Sequence, residues 1–87
     1  EEEGEGPLGY LSGSIDFLYW EAGTGQLVVA DFKTDGVESE EELARAVKGY
    51  ARQGELYCRA VQQALALPGR PHFELWFLQV GRSVRLW

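Results

Sequence analysis

The sequence predicts an α/β (α+β) fold built on one mixed sheet of about four strands, laid out as β-hairpin, long helix, β-hairpin. Three observations predict it. Two runs rich in β-branched and aromatic residues, 11–20 and 26–34, flank the turn residues Ala22-Gly23-Thr24-Gly25. A capped stretch over 40–67 repeats apolar residues at spacings of three and four. A second pair of strand-like runs closes the chain. Strands on either side of one long helix, within 87 residues, leave room for a single sheet with the helix packed on it.

Residues 1–10 are acidic and contain glycine, and are expected to form a flexible N-terminal segment, with 11–87 as the folded unit. The chain contains no methionine, which points to a piece of a larger protein. In the first hairpin Ser14, Asp16, Leu18 and Trp20 share one face, and Ile15, Phe17 and Tyr19 the other. Residues 27–30 are apolar on both faces, as in a central strand covered on both sides. A loop of even length centred between Gly23 and Thr24 sets Asp16 directly opposite Asp31. Lys33 then points to the same face. Carboxylates placed opposite one another repel, and a divalent cation between them reverses the sign of that term.

Asp35-Gly36 breaks the second strand. Ser39 followed by Glu42 is a capping box, and the acids of the first turn suit the helix dipole. The helix, on the order of 40 Å long, turns Leu43, Val47, Tyr50, Gly54, Tyr57, Val61 and Leu65 toward the sheet, and Pro68-Gly69 ends it. Gly54 in mid-helix costs about 1 kcal/mol against Ala, which points to a close approach to the sheet. Residues 73–80 read as a third strand, Gly81-Arg82 as a tight turn and 83–87 as a short fourth strand.

The formal net charge is −6, but it is unevenly spread. Residues 1–44 hold twelve acids and one base, and 45–87 two acids and seven bases. That excludes a broad basic surface, yet leaves room for a small cation-bridged contact with phosphate. No apolar run reaches the roughly 18–20 residues that span a bilayer, so no membrane partner is expected. The single cysteine, Cys58, excludes an internal disulfide, a Cys-based zinc site and a four-Cys iron–sulfur cluster. It fits a reducing cytoplasm and is expected to be a small buried apolar residue.

Asp16, Asp31 and Lys33 form the sharpest constellation. Two carboxylates supply oxygen ligands for a hard cation, and a lysine can orient water or offset charge at phosphorus. Gln53 and Tyr57, one helical turn apart, can both reach the sheet beside this acidic end of the hairpin. Arg45, Lys48, Arg52 and Arg59 form a basic stripe roughly opposite the apolar face, expected to be solvated or docked to other protein. His72 is expected on a loop surface. Trp20, Trp76 and Trp87 are expected to pack in the core rather than stack on bases.

Taken together, Gly13-Ser14-Ile15-Asp16, then Val29-Ala30-Asp31-Phe32-Lys33-Thr34, then Tyr50-Ala51-Arg52-Gln53-Gly54-Glu55-Leu56-Tyr57 resembles the C-terminal nuclease domain of RecB- and AddA-type helicase–nucleases. These belong to the PD-(D/E)XK nuclease superfamily. The pattern is G-x-I-D, V-x-D-Y-K-T and Y-x-x-Q-x-x-x-Y, in order and over most of the chain. The resemblance implies a restriction-endonuclease-like core and a magnesium-dependent DNA nuclease, an exonuclease in a UvrD/Rep-like helicase–nuclease of double-strand-break repair and recombination, in the bacterial cytoplasm. It implies that Asp16 and Asp31 hold Mg2+ (or Mn2+) with the backbone carbonyl of Phe32. Lys33 would position the attacking water, and Gln53 and Tyr57 would support the site and contact DNA. The implied partners are DNA, parent helicase domains in the same chain and a second subunit of the AddB or RecC/RecD kind. AddA is the closer match, because AddB-type nucleases carry an iron–sulfur cluster on four cysteines. Phe32 stands where Tyr is usual and Gly54 where Leu is usual. The first core helix of the family, with its additional acid or His, has no counterpart. The alternative is a catalytically inactive DNA- or partner-docking module that keeps the nuclease fold.

Overall fold

The computed structural model describes residues 16–87. The strand expected to begin at residue 11 is therefore described only from Phe17 onward, and the segment 1–10, with 11–15, lies outside the described residues. Four strands and one helix follow in chain order: β1 (Phe17–Trp20), β2 (Leu27–Lys33), α1 (Glu40–Ala64), β3 (His72–Phe77) and β4 (Arg82–Arg85). They form a single mixed sheet in the order β1-β2-β3-β4. The β1–β2 and β3–β4 pairs are antiparallel, and β2–β3 is parallel. The hairpin–helix–hairpin layout follows from these connections, because a parallel pair needs a long crossover and α1 supplies it.

Both hairpins close through four-residue loops. Glu21 N–H donates to Gln26 O at 2.8 Å, and Gly25 N–H to Glu21 O at 2.7 Å. Gly25 takes φ +70, which a residue without a Cβ adopts freely. In the second hairpin Phe77 faces Arg82 across a loop that ends on Gly81 at φ +66. The turn thus spans 78–81 rather than Gly81-Arg82, and β3 stops at Phe77 instead of reaching Val80. β4 begins one residue earlier than expected.

Ser39 caps α1: its Oγ accepts from Glu42 N–H at 3.1 Å. Glu42 returns the bond to Glu38 N–H at 2.9 Å, one residue earlier than the usual box partner. The helix ends three residues before the expected boundary. Leu67 N–H donates to Gln62 O and Ala66 N–H to Gln63 O, which is a Schellman closure, with Ala66 at φ +53. Pro68 disfavours helical backbone at the residue before it, so the chain turns out of the helix ahead of it. Leu67 packs onto the core, whereas Leu65, expected on the buried face, is exposed.

One face of the sheet takes Leu27, Val29, Phe73, Leu75 and Phe77, and packs against Leu43, Tyr57, Cys58 and Val61 of α1. Gly54 sits over the Phe73 ring: a Cβ built there would lie 2.3 Å from a ring carbon. The close approach anticipated at this glycine is real. On the opposite face Phe17, Phe32 and Trp76 meet ring to ring at 5.2–5.7 Å. Beside them Glu74 accepts from Tyr19, Trp76 and Arg85, and Arg85 also pairs with Glu21. Burial alone would raise the Glu74 pKa, but hydrogen bonds from Trp76, Arg85 and Tyr19 outweigh it and hold the group below its ordinary value.

Two smaller expectations change. His72 is half-buried at the start of β3, with Nδ1 3.0 Å from Trp87 O, not on a loop surface. Trp87 stacks on Phe73 and Trp76 joins the aromatic cluster, but Trp20 is 61% exposed. The helix covers β2 and β3 and leaves the helix-side residues of β1 open, so Leu18 and Trp20 remain exposed. Cys58 is fully buried, as expected, and burial pushes its thiol up to about 11. Among the described residues no helix is long and apolar enough to cross a membrane.

A candidate carboxylate–lysine site on the helix face of the sheet

The register of the first hairpin builds the site. Phe17 faces Ala30, so one step back along the ladder sets Asp16 beside Asp31. Strand alternation then puts Asp16, Asp31 and Lys33 on the face that carries α1. Asp16 is exposed, and its Oδ2 accepts from Phe32 N–H at 2.7 Å. That charge-assisted bond pins the carboxylate against β2 just before β1 begins.

Asp31 is the one charged side chain in the core of the described residues, at 3% exposure. It continues the buried run Leu27–Ala30, which explains how the sequence hides it. Burial raises its pKa, the Asp16 carboxyl raises it further, and Lys33 opposes both; the result is about 6. Asp31 therefore exchanges its proton close to neutral pH.

Lys33 reaches back over its own strand. Its Nζ lies 3.2 Å from Asp31 Oδ2, and Gln53 Oε1 accepts from it at 3.0 Å. The contact with Asp31 is an ion pair without hydrogen-bond alignment: buried Oδ2 has no hydrogen-bond donor among the described residues. The Lys33 ammonium also sits 3.9 Å from the centroid of the Tyr50 ring. Tyr50 is itself held, its hydroxyl 3.1 Å from both carboxylate oxygens of Asp35.

Tyr57 is buried one turn beyond Gln53. Burial raises its pKa, and the charges of Asp31 and Asp16 raise it further, which places the phenol within their field. The five residues singled out in the sequence, Asp16, Asp31, Lys33, Gln53 and Tyr57, thus come from three separate stretches to one place. The side chain of Phe32 faces away, into the aromatic cluster, while its backbone runs between the two acids. The basic stripe stays apart: Arg45, Lys48, Arg52 and Arg59 are exposed on the outer side of α1.

Two residues of the site escaped the sequence reading. In the sequence Tyr50 stands as helix packing and as the first residue of the Y-x-x-Q-x-x-x-Y pattern, and Asp35 as a strand breaker; neither has a role at the site there. The available signal was spacing: Tyr50 lies three residues before Gln53 and seven before Tyr57, on the same helical flank.

The donor set suits a hard divalent cation. It offers two carboxylates, all oxygen, and the resemblance adds the Phe32 carbonyl as an expected third donor. Asp31 Oδ2, buried and without a hydrogen-bond donor among the described residues, is the atom such an ion would satisfy. Among the described residues no third Asp, Glu, His or Cys joins the pair. No family model, curated protein or solved structure matches the chain.

Proposed function

We propose that this chain is a PD-(D/E)XK-type nuclease core that hydrolyses DNA phosphodiesters with magnesium, within a helicase–nuclease of the AddA or RecB kind. One observation carries the reading: two opposed carboxylates, one with a pKa of about 6, share a face with a lysine fixed by a glutamine from the helix. The three stretches that resemble the nuclease motifs supply these groups. The mixed four-stranded sheet with one long helix is compatible with that core. DNA, helicase domains in the same polypeptide and a second subunit of the AddB or RecC/RecD kind are the partners this reading brings.

The roles follow from position. Asp16, Asp31 and the Phe32 carbonyl would hold the ion. Magnesium, or manganese in its place, would supply positive charge to offset the carboxylate repulsion and to polarise a phosphoryl oxygen. Asp31 sits deep enough to stay dry and ionises fully only above its raised pKa. The Lys33 ammonium holds an attacking water in line and offsets charge that grows on the phosphoryl oxygens. Gln53 spends its carbonyl on that ammonium and so fixes where it points. Tyr57 backs the pair of acids from the helix.

The test is cleavage of linear DNA by the full-length protein, with metal binding followed by calorimetry. Asp16→Ala and Asp31→Ala are expected to lose both metal affinity and cleavage. Lys33→Ala is expected to keep most of the affinity and lose cleavage about 100-fold or more. Cleavage that survives in Asp31→Ala, or is undiminished in EDTA, overturns the reading. Wild-type protein that binds metal and DNA without cutting favours the docking module.

A further inference from the structure

The Lys33 ammonium has three neighbours, and the third is not used by the argument above. Asp31 Oδ2 lies on one side at 3.2 Å and Gln53 Oε1 on another at 3.0 Å. The Tyr50 ring lies against a third side, with its centroid 3.9 Å away. An ammonium over an aromatic face is attracted by the ring quadrupole, more strongly where water is partly excluded. Only 14% of the Lys33 side chain is exposed, so this is such a place. The ring in turn cannot swing freely. Its hydroxyl is anchored to Asp35, two residues beyond Lys33 on the segment that leaves β2. The chain therefore folds back on itself: lysine and aspartate flank the end of one strand, and a single tyrosine from the helix engages both.

We propose that Tyr50 is a positioning residue for Lys33. It holds the ammonium over its ring, with Asp35 fixing the ring from the hydroxyl end. The flexible lysine stem has several rotamers within reach, and without the ring the ammonium is free to leave Asp31 and Gln53 for solvent. With the ring in place its charge stays directed at the carboxylates. The consequence for cleavage rests on the nuclease reading above; the clamp on Lys33 does not.

The experiment separates the two. The chain has only two lysines, Lys33 and Lys48. Selective 13C labelling of lysine in the full chain therefore gives two sets of side-chain methylene signals. Ring current from Tyr50 is expected to move the Lys33 Hε signals upfield of those of exposed Lys48. Tyr50→Phe keeps the ring but loses the Asp35 anchor, and is expected to lose about half of that displacement, as Asp35→Ala does, with kcat between those of wild type and Tyr50→Leu. Tyr50→Leu is expected to bring the Lys33 signals to the Lys48 position and to lower kcat at least tenfold, with KM changed less than twofold. Asp35→Ala leaves the ring but frees it, and is expected to lose about half of the displacement; it serves as the second variant should Tyr50→Leu not fold. Lys33 signals that do not move in either Tyr50→Leu or Asp35→Ala overturn the clamp. Signals that collapse while kcat is unchanged overturn the positioning role. If wild-type protein does not cut DNA, the nuclease reading fails and the role in cleavage fails with it, while the Hε displacement still decides the clamp.

Discussion

Gly54→Ala is the sharpest test of how the helix is seated. The added Cβ would meet Phe73 ring carbons at 2.3 and 2.4 Å. Comfortable carbon–carbon separation is about 3.5–4.0 Å, so the shortfall exceeds an ångström. The ring cannot give way: Phe73 is fully buried and stacked on Trp87 at 5.6 Å. The helix must lift instead. Overpacking of this kind costs roughly 1–3 kcal/mol, and a gap of 0.5–1 Å forfeits a quarter to a half of the contact energy around it. Alanine returns about 1 kcal/mol through helix propensity. The expected net loss is therefore up to about 2 kcal/mol, read as the shift in a urea unfolding midpoint at unchanged slope. Gln53 and Tyr57 ride on the same helix, so the Lys33–Gln53 bond lengthens with the lift, and on the nuclease reading proposed above cleavage should fall further than stability alone requires. Phe73→Leu in the same chain should restore part of the loss, a positive coupling in a double-mutant cycle. A Gly54→Ala chain as stable as wild type, with no coupling to Phe73→Leu, refutes the close seating of α1 on β3.

Three further outcomes follow from the same structure. Ala66→Gly should stabilise by about 0.5–1 kcal/mol in urea unfolding, because left-handed backbone costs alanine about 1–2 kcal/mol and glycine's extra unfolded-state freedom offsets only part of that. Asp31 has a folded pKa of about 6 against 3.8, so the fold binds more protons than the unfolded chain between these values, and its ionisation destabilises as pH rises. Without divalent cations, Asp31→Asn should match wild type near pH 4 and exceed it above pH 7 by up to about 3 kcal/mol; a difference independent of pH refutes this. Glu74→Ala removes the acceptor of Tyr19, Trp76 and Arg85 and should cost roughly 1–3 kcal/mol by thermal or urea unfolding.

The fold was legible where local rules and burial agree. Residues 27–30, apolar on both faces, became the buried centre of β2, and the four-residue loop at 22–25 fixed the register that sets Asp16 beside Asp31. Ser39 and Glu42 marked the start of α1, and Gly54 marked its contact with Phe73. The boundaries were less legible because they depend on long-range packing. Leu67 is drawn onto the core, so the helix closes before it rather than at Pro68. Trp20 is expected in the core as an aromatic on a strand, but strand position gives a face and not its cover. Only the placement of α1 over β2 and β3 shows that the helix side of β1 stays open.

The site divides along the same line. Asp16, Asp31 and Lys33 are set by one hairpin, and Gln53 and Tyr57 by one helical turn, so short-range periodicity was enough to group them. Asp35 and Tyr50 are joined across the β2–α1 connection, by a bond whose existence depends on where the helix crosses the sheet. The distinction has a physical consequence. Groups fixed by local register keep their mutual geometry in any packing that preserves the hairpin. The Lys33 environment does not, because two of its three neighbours, Gln53 and Tyr50, come from α1. The seating of that helix on Phe73 is therefore coupled to the direction of the lysine charge, although no atom of Gly54 touches the carboxylates. A change that lifts the helix should loosen Lys33 while leaving Asp16 bonded to Phe32 N–H, so the acids should keep the metal affinity proposed for them when the lysine has lost its place.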